Sequence, residues 1–103
     1  MVKPKASSWS GITIGCGINP KLSDIDAYLM AESAVDEAVR NVLCAGAEYG
    51  HDDAVLALVD NFCWPDPVGS PEKTAALVRA CYGMRGAALA LGAPFVSGKD
   101  SMK

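Results

Sequence analysis

The chain lacks closely spaced cysteines and has almost no histidine. Its four cysteines, Cys16, Cys44, Cys63 and Cys81, form no CxxC pair, and His51 is the single histidine. A structural zinc site needs closely spaced ligands of these two types, so the spacing argues against this class of site. The cysteine count leaves disulfides open, but each cysteine stands in an apolar stretch, which favours free, buried thiols. No cysteine has a histidine or an activating motif near it in the sequence, so no catalytic nucleophile is predicted.

Long runs of a single residue class are also missing. Lys and Arg do not cluster and the net charge is −3, which argues against nucleic-acid binding. No apolar stretch approaches the length of a membrane-spanning helix, and residues 1–10 lack the apolar centre of a signal peptide. We therefore expect no nucleic-acid partner, no membrane partner and a cytoplasmic location.

The composition is that of a folded domain of limited size. Half of the 103 residues are hydrophobic and a fifth are charged, as in globular proteins. A chain of this length forms one small domain or part of a larger one, and a partner surface would help it to bury enough area. Residues 1–10 are polar and contain Pro4, which predicts a loose lead-in. Residues 11–103 are then the partial domain.

Apolar periodicity predicts alternating strands and helices. Isoleucines and Cys16 alternate with small residues over 11–18, the pattern of a half-buried strand. Residues 25–45 form a helix, with Asp24 or Asp26 as N-cap and Gly46 as C-cap. The apolar run 54–59 suits a strand covered on both faces. The order continues with a helix that starts at Ser70-Pro71 and ends at Leu91, capped by Gly92, and a short strand at 94–96.

Glu37 and Asn41 stand one turn apart on the predicted long helix, with Ser33 one turn earlier. Side chains at positions i and i+4 share a face, so a carboxylate and an amide oxygen could bind one magnesium ion there. Polar pairs at this spacing are common on solvated helices, and spacing alone favours that interpretation.

Two polar segments follow predicted strands. Asp60-Asn61 comes at the end of the apolar run, where open α/β sheets gather ligands, although an ordinary Asx turn is the commoner structure. Ser97-Gly98-Lys99-Asp100-Ser101 offers a glycine for close approach and a lysine for phosphate, but it is not a P-loop. A simple polar turn is the alternative for this segment.

Four segments together resemble one family. They are DIDAY at 24–28, AVDEAVRN at 34–41, ALVDNFCW at 57–64 and GAPFVSGKDSM at 92–102. Each is weak alone, but their order and spacing resemble the synthetase subunit or domain of phosphoribosylformylglycinamidine synthase, also called formylglycinamide ribonucleotide amidotransferase. The set extends over most of the chain from residue 11 onward.

The resemblance implies a fold. Family members are several times longer and contain two copies of a module similar to aminoimidazole ribonucleotide synthetase. This chain resembles most of the N-terminal half of the second copy. That implies an α/β (α+β) fold with a small sheet and two main helices on one face. Because sheets of such halves pair into a barrel, we expect this sheet to pair with another copy in a homodimer.

The resemblance also implies a reaction, cofactors and sites. Family members use ATP and magnesium to convert formylglycinamide ribonucleotide to formylglycinamidine ribonucleotide in purine biosynthesis. A glutaminase domain or subunit supplies ammonia from glutamine. Glu37 and Asn41 match a Glu-x-x-x-Asn pair at a magnesium-nucleotide site. The implied ATP or ADP contacts are Asp60, Gly98, Lys99 and Ser101, although Lys99 replaces an Asn of shorter members and cannot bind a metal.

Three hypotheses follow from these features. The chain is a fragment of this ligase, inactive without the other domains of the parent synthase. Alternatively, it is a non-catalytic interaction module that homodimerises through its sheet. A complete small kinase-like enzyme, similar to thiamine phosphate kinase, is disfavoured because the chain has no aspartate-rich N-terminal metal loop.

Overall fold

The computed structural model describes residues 2–103 and contains two helices and a two-stranded sheet. β1 and β2 are parallel, with α2 as the crossover between them. This confirms the predicted α+β class. In chain order the elements are a 3-10 helix Pro20–Asp24, α1 Ala27–Cys44, β1 Leu58–Trp64, α2 Pro71–Leu91 and β2 Phe95–Met102.

The helix ends follow from local capping chemistry. The Asp26 carboxylate accepts hydrogen bonds from the backbone N–H groups of Tyr28 and Leu29, at 2.7 and 3.2 Å. The Ser70 hydroxyl accepts one from the N–H of Lys73 at 3.4 Å, and Pro71 occupies the first turn of α2. Gly92 ends α2 with φ +60°, a left-handed conformation that favours glycine. These caps confirm both predicted ends of α2 and select Asp26 from the two N-caps predicted for α1. The C-cap of α1 is Ala45 rather than the predicted Gly46, and the helix spans Ala27–Cys44 rather than 25–45.

Small residues form the contact between the two helices. Ala27 and Ala31 of α1 and Ala80 of α2 are buried together. Gly83 lies so close to the backbone of Tyr28 that a Cβ there would overlap the Tyr28 carbonyl. Phe62 and Trp64 of β1, with Met30, Ala76 and Met84, pack against this cluster. Both helices therefore lie on the same face of the sheet, as predicted.

The prediction of a half-buried strand at residues 11–18 is wrong. This segment forms only an isolated bridge, in which Ile12 exchanges two backbone hydrogen bonds with Val2, at 2.6 and 2.7 Å. Gly15 and Gly17 face α1, where a Cβ at either position would overlap the helix. The glycines thus bring the backbone onto α1, and the isoleucines of the alternating pattern point outward.

The other strands are displaced from their predicted positions. β1 begins at Leu58 rather than at residue 54, so Asp60 and Asn61 lie inside the strand and not after it. β2 continues to Met102, so residues 97–101 are strand and not a loop. β1 alternates half-buried and exposed residues, which contradicts the predicted cover on both faces. Apolar content predicted strands here but did not fix their ends, because backbone pairing with β2 sets them.

The molecule leaves much of its apolar surface exposed. Its accessible surface is 7317 Å², whereas a compact monomer of this mass exposes about 5,500 Å². The radius of gyration is 15.5 Å, against about 13 Å for a compact domain of this length. Within residues 2–103 no large side chain is fully buried, and the four cysteines are free and exposed. The prediction of buried thiols is therefore wrong, because the apolar stretches around them lack cover.

Candidate functional site

Asp60 and Gly98 lie opposite each other on the paired strands. The parallel register aligns Asp60 of β1 with Gly98 of β2. A Cβ at position 98 would overlap the Asp60 carboxylate, which leans across the bare glycine backbone. Gly98 therefore serves a steric purpose, since any larger residue would displace that carboxylate. Two of the predicted nucleotide contacts are thus brought together.

The Asp60 carboxylate lies on the side of the sheet that faces α2. It lines a cleft of about 340 Å³, open to solvent, between the sheet and the helix. Asp100 lines the same cleft, because it stands two residues after Gly98 and strand side chains alternate between faces. Apolar side chains form the rest of the wall: Phe62, Leu77, Cys81, Met84, Phe95 and Met102.

Lys99 and Ser101 lie on the opposite, outward face of β2. The Lys99 ammonium donates a hydrogen bond to the Ser101 hydroxyl at 2.5 Å, which shows that the two side chains share a face. Lys99 is aligned with Asn61, which is exposed on the outward face of β1. The structure therefore divides the four predicted nucleotide contacts between two faces of the sheet.

Glu37 and Asn41 hold the N-terminal segment onto α1. The Glu37 Oε2 accepts a hydrogen bond from the backbone N–H of Ile18 at 2.8 Å. The Asn41 side-chain amide donates to the carbonyl of Cys16 at 2.8 Å. One turn earlier, Ser33 accepts a hydrogen bond from the side-chain amide of Asn19 at 3.1 Å. This polar stripe consequently has a structural role that neither the metal nor the solvated-stripe interpretation anticipated.

Glu37 and Asn41 provide ligand atoms of the type that magnesium binds, but two side chains are too few to complete its coordination. The two hydrogen bonds use Glu37 Oε2 and the Asn41 amide nitrogen. Glu37 Oε1 and Asn41 Oδ1 are therefore the atoms that could coordinate a metal ion. Carboxylate and amide oxygens are ligands that magnesium accepts, with water completing its octahedron. Within residues 2–103, no three His, Cys, Asp or Glu side chains gather as a metal site. These two residues would therefore supply part of a site.

Sequence reasoning missed the position of Asp100. It belonged to a segment that the sequence predicts as a loop, where side-chain direction has no fixed alternation. Continuing the strand through Gly98 would have placed residues 98 and 100 on one face and residues 99 and 101 on the other. The order of these residues contained the information, but the predicted strand ended too early, at residue 96.

The fold defines the class of this protein: an α+β domain whose parallel strands carry the candidate site beside a crossover helix. Residues 6–102 match the family model described as AIR synthase related protein, N-terminal domain. The chain belongs to that family. No solved structure matches it, and none of the helices within residues 2–103 is long and apolar enough to cross a membrane.

Its curated relatives include phosphoribosylformylglycinamidine synthase subunits PurL, as the sequence resemblance predicted. The subunit of Thermomicrobium roseum is 39% identical over 92 residues, which cover 89% of this chain and 12% of that protein. The subunit of Anaeromyxobacter sp. (strain K) is 34% identical over 106 residues, covering 98% of this chain and 12% of that protein. That of Deinococcus radiodurans is 34% identical over 92 residues, covering 89% and 11%. The chain thus spans about an eighth of their length.

Proposed function

We propose that this chain is part of the ligase that converts formylglycinamide ribonucleotide to formylglycinamidine ribonucleotide in purine biosynthesis. ATP transfers its terminal phosphoryl group to the carbonyl oxygen of the glycinamide. Ammonia, released from glutamine by a glutaminase domain or subunit, then displaces phosphate and leaves the amidine. The observation that carries this proposal is the Asp60 carboxylate seated over Gly98, within a chain that matches the family over residues 6–102. The enzyme works in the cytoplasm.

The chain contributes nucleotide and magnesium contacts and is inactive by itself. Glu37 and Asn41 hold magnesium, which neutralises nucleotide phosphates when it is bound. The Lys99 ammonium and the Ser101 hydroxyl beside it bind phosphate oxygens from the outward face, because both groups can donate hydrogen bonds. Asp60 and Gly98 form the second contact point, on the face toward α2. No catalytic acid, base or nucleophile is assigned to this chain, and the other domains of the synthase supply them.

The first test is calorimetric titration of the chain with magnesium and ATP or ADP. Glu37→Gln removes the charge that attracts the cation but keeps an oxygen that accepts the Ile18 hydrogen bond. We expect it to weaken nucleotide binding by at least about tenfold. Glu32→Gln is the matched control, because it removes the same charge from another side of α1 and should leave affinity unchanged. Equal affinity in both variants would remove the metal assignment.

The second test places the chain in an intact synthase. The matched segment of the Thermomicrobium roseum subunit is replaced by this chain, and glutamine-dependent amidine formation is measured. We expect activity, and we expect Lys99→Gln to raise the KM for ATP about tenfold to a hundredfold, because a charged hydrogen bond is lost. Lys103→Gln is the control of equal charge. A folded but inactive chimera would contradict the proposed function.

The alternative function is a non-catalytic interaction module that dimerises through its sheet. The observation that favours it is the exposed apolar surface of the sheet, where Val59 of β1 and Val96 of β2 are 68% and 64% exposed. Apolar surface of this kind marks interaction sites. Dimerisation of the chain without any nucleotide affinity would support this alternative over the ligase.

A further inference from the structure

The side of α2 that faces away from α1 carries an apolar stripe. Val78, Tyr82, Arg85 and Leu89 follow at steps of four, three and four residues, so they share one side of the helix. Within residues 2–103 this stripe is only partly covered, since Val78, Tyr82 and Leu89 are 48%, 62% and 65% exposed.

This stripe lies opposite the buried side of the same helix. Ala80, Gly83 and Ala87 are buried, and two positions along a helix correspond to a rotation of about 200°. Apolar residues on opposite sides are typical of a helix that is buried all round. We therefore expect α2 to be covered on its outer side in the working protein.

The stripe borders an open groove of about 420 Å³ where α2 meets the start of β2. Arg85 and Leu89 belong to both features, so the stripe and the groove form one surface. The remaining wall is apolar and includes Cys81, Met84, Ala88, Pro94 and Phe95. The surface offers room for projecting apolar side chains along one side of a helix.

Arg85 determines the charge that this surface accepts. The two ion pairs within the described residues join Asp26 to Arg79 and Asp36 to Arg40, and Arg85 takes part in neither. A guanidinium group among apolar side chains binds a carboxylate well, because planar hydrogen bonds form in partial shelter from water. The complementary partner therefore carries an acidic residue near the middle of its contact.

A second copy of this chain does not fit that requirement. In a twofold contact of stripe on stripe, the same patch meets itself, and Arg85 lies near the middle of the patch. The two guanidinium groups would approach each other, which disfavours the contact. The accessible surface of the chain exceeds that of a compact monomer by roughly 1,800 Å². One standard interface buries only roughly 800 Å² on each partner. One dimer contact through the sheet would leave the α2 surface still exposed.

We infer that this α2 surface docks an amphipathic helix of the longer synthase, with apolar residues spaced by three or four and a central Asp or Glu. The inference rests on the proposed function only in taking the chain as part of a longer synthase. The relatives supply ample polypeptide for such a helix, because the matched segment is 12% of their length.

The test is thiol alkylation of Leu89→Cys, in the isolated chain and in the chimera with the Thermomicrobium roseum subunit, with peptides identified by mass spectrometry. We expect the alkylation rate at position 89 to fall at least about tenfold in the chimera, since thiol reactivity follows exposure. Val55→Cys is the control: Val55 is 85% exposed and lies outside the stripe. Arg85→Glu should restore the rate at position 89, whereas Arg85→Gln should restore it less.

The outcomes separate this inference from the proposed function. An active chimera with an unprotected thiol at position 89 overturns the docking inference and leaves the function standing, while an inactive chimera with a protected thiol there does the reverse. Protection that already rises with concentration in the isolated chain means that a second copy is the occupant, and the inference is wrong. If the chimera does not fold, the same cysteine substitution at the aligned position of the intact relative gives the decisive rate.

Discussion

At the scale of single residues, Gly98 and Asp60 form the most specific contact in the candidate site. The Asp60 carboxylate occupies space that a Cβ at position 98 would need. We expect Gly98→Ala to lower the free energy of unfolding by about 1 kcal/mol or less, because the Asp60 side chain can rotate away from the new methyl group at the cost of its preferred rotamer. Urea unfolding followed by circular dichroism measures this difference.

The matched control for this prediction is a double-mutant cycle. With Asp60→Ala already present, the alanine at position 98 meets no carboxylate and should be neutral or stabilising by up to about 1 kcal/mol. The cycle then gives a coupling between the two positions. Additive effects of the two substitutions would show that the carboxylate does not rest on Gly98.

The two glycines of α2 offer a second comparison between single residues. A Cβ at Gly83 would overlap the backbone carbonyl of Tyr28, whereas one at Gly86 would lie 3.1 Å from the Tyr28 hydroxyl oxygen. Backbone of a packed helix cannot give way, but the end of a tyrosine side chain can. We expect Gly83→Ala to destabilise by about 1–3 kcal/mol. Gly86→Ala should be neutral or stabilising by up to about 1 kcal/mol, because alanine favours helix. Thermal and urea unfolding of the two variants measure this difference in stability. Equal effects of the two substitutions would contradict the prediction.

At the scale of elements, Asp26 links the start of α1 to α2. Burial opposes its charged form, but hydrogen bonds from Leu29, Tyr28 and Arg79 together outweigh that effect and hold the pKa of Asp26 below its usual value of 3.8. A carboxylate with a lowered folded pKa stabilises the fold above its unfolded pKa. That contribution is lost as the pH falls through the folded value.

The pH dependence of Asp26→Asn tests this link. Asparagine is also a good N-cap, so the variant keeps the helix start and loses mainly the charge that faces Arg79. We expect wild type to be more stable near neutral pH, and the difference to shrink as the pH falls below about 4. Asp24→Asn is the control, since Asp24 lies outside α1 and does not cap it. A difference that stays constant down to about pH 2 would contradict the linkage.

The helices were predictable from the sequence because their signals are local. Ser70, Pro71 and Gly92 act on neighbouring backbone groups, so a reader of the sequence alone can place both ends of α2. Strand ends depend on which residues pair between strands, and no residue near Asp60 in the sequence indicates that it pairs with Gly98. The segment at 11–18 shows the same limit, because its glycines contact α1, a separate element further along the chain. The sequence could therefore propose the candidate residues, but it could not predict their division between two faces of the sheet.

At the scale of the whole molecule, the exposed apolar surface exceeds what the chain itself can cover. Its buried core consists of small residues: Ala27, Ala31, Val35, Val39, Ala80, Ala87 and Ala93. A sheet of two strands is marginal without further cover. The outward isoleucines of residues 12–18 lie on the same side of α1 as the sheet. Ala34 and Ala38, beneath Gly17 and Gly15, continue the helical stripe of Ala27 and Ala31. Segment and sheet thus form one exposed apolar surface, which is a candidate contact for a second copy.

We expect the isolated chain to dimerise through this surface. Dimerisation involves only the folded chain and therefore stabilises the fold. The melting temperature should consequently rise as the protein concentration is increased about a hundredfold. Ile14→Lys places a charge on the surface and should abolish both the dimer in analytical ultracentrifugation and the concentration dependence. Val55→Lys, a substitution at an exposed residue outside the segment, should change neither. If the Ile14→Lys variant still dimerises, the dimer interface lies elsewhere on the chain. If the wild-type chain is monomeric, only another module of the synthase covers this surface.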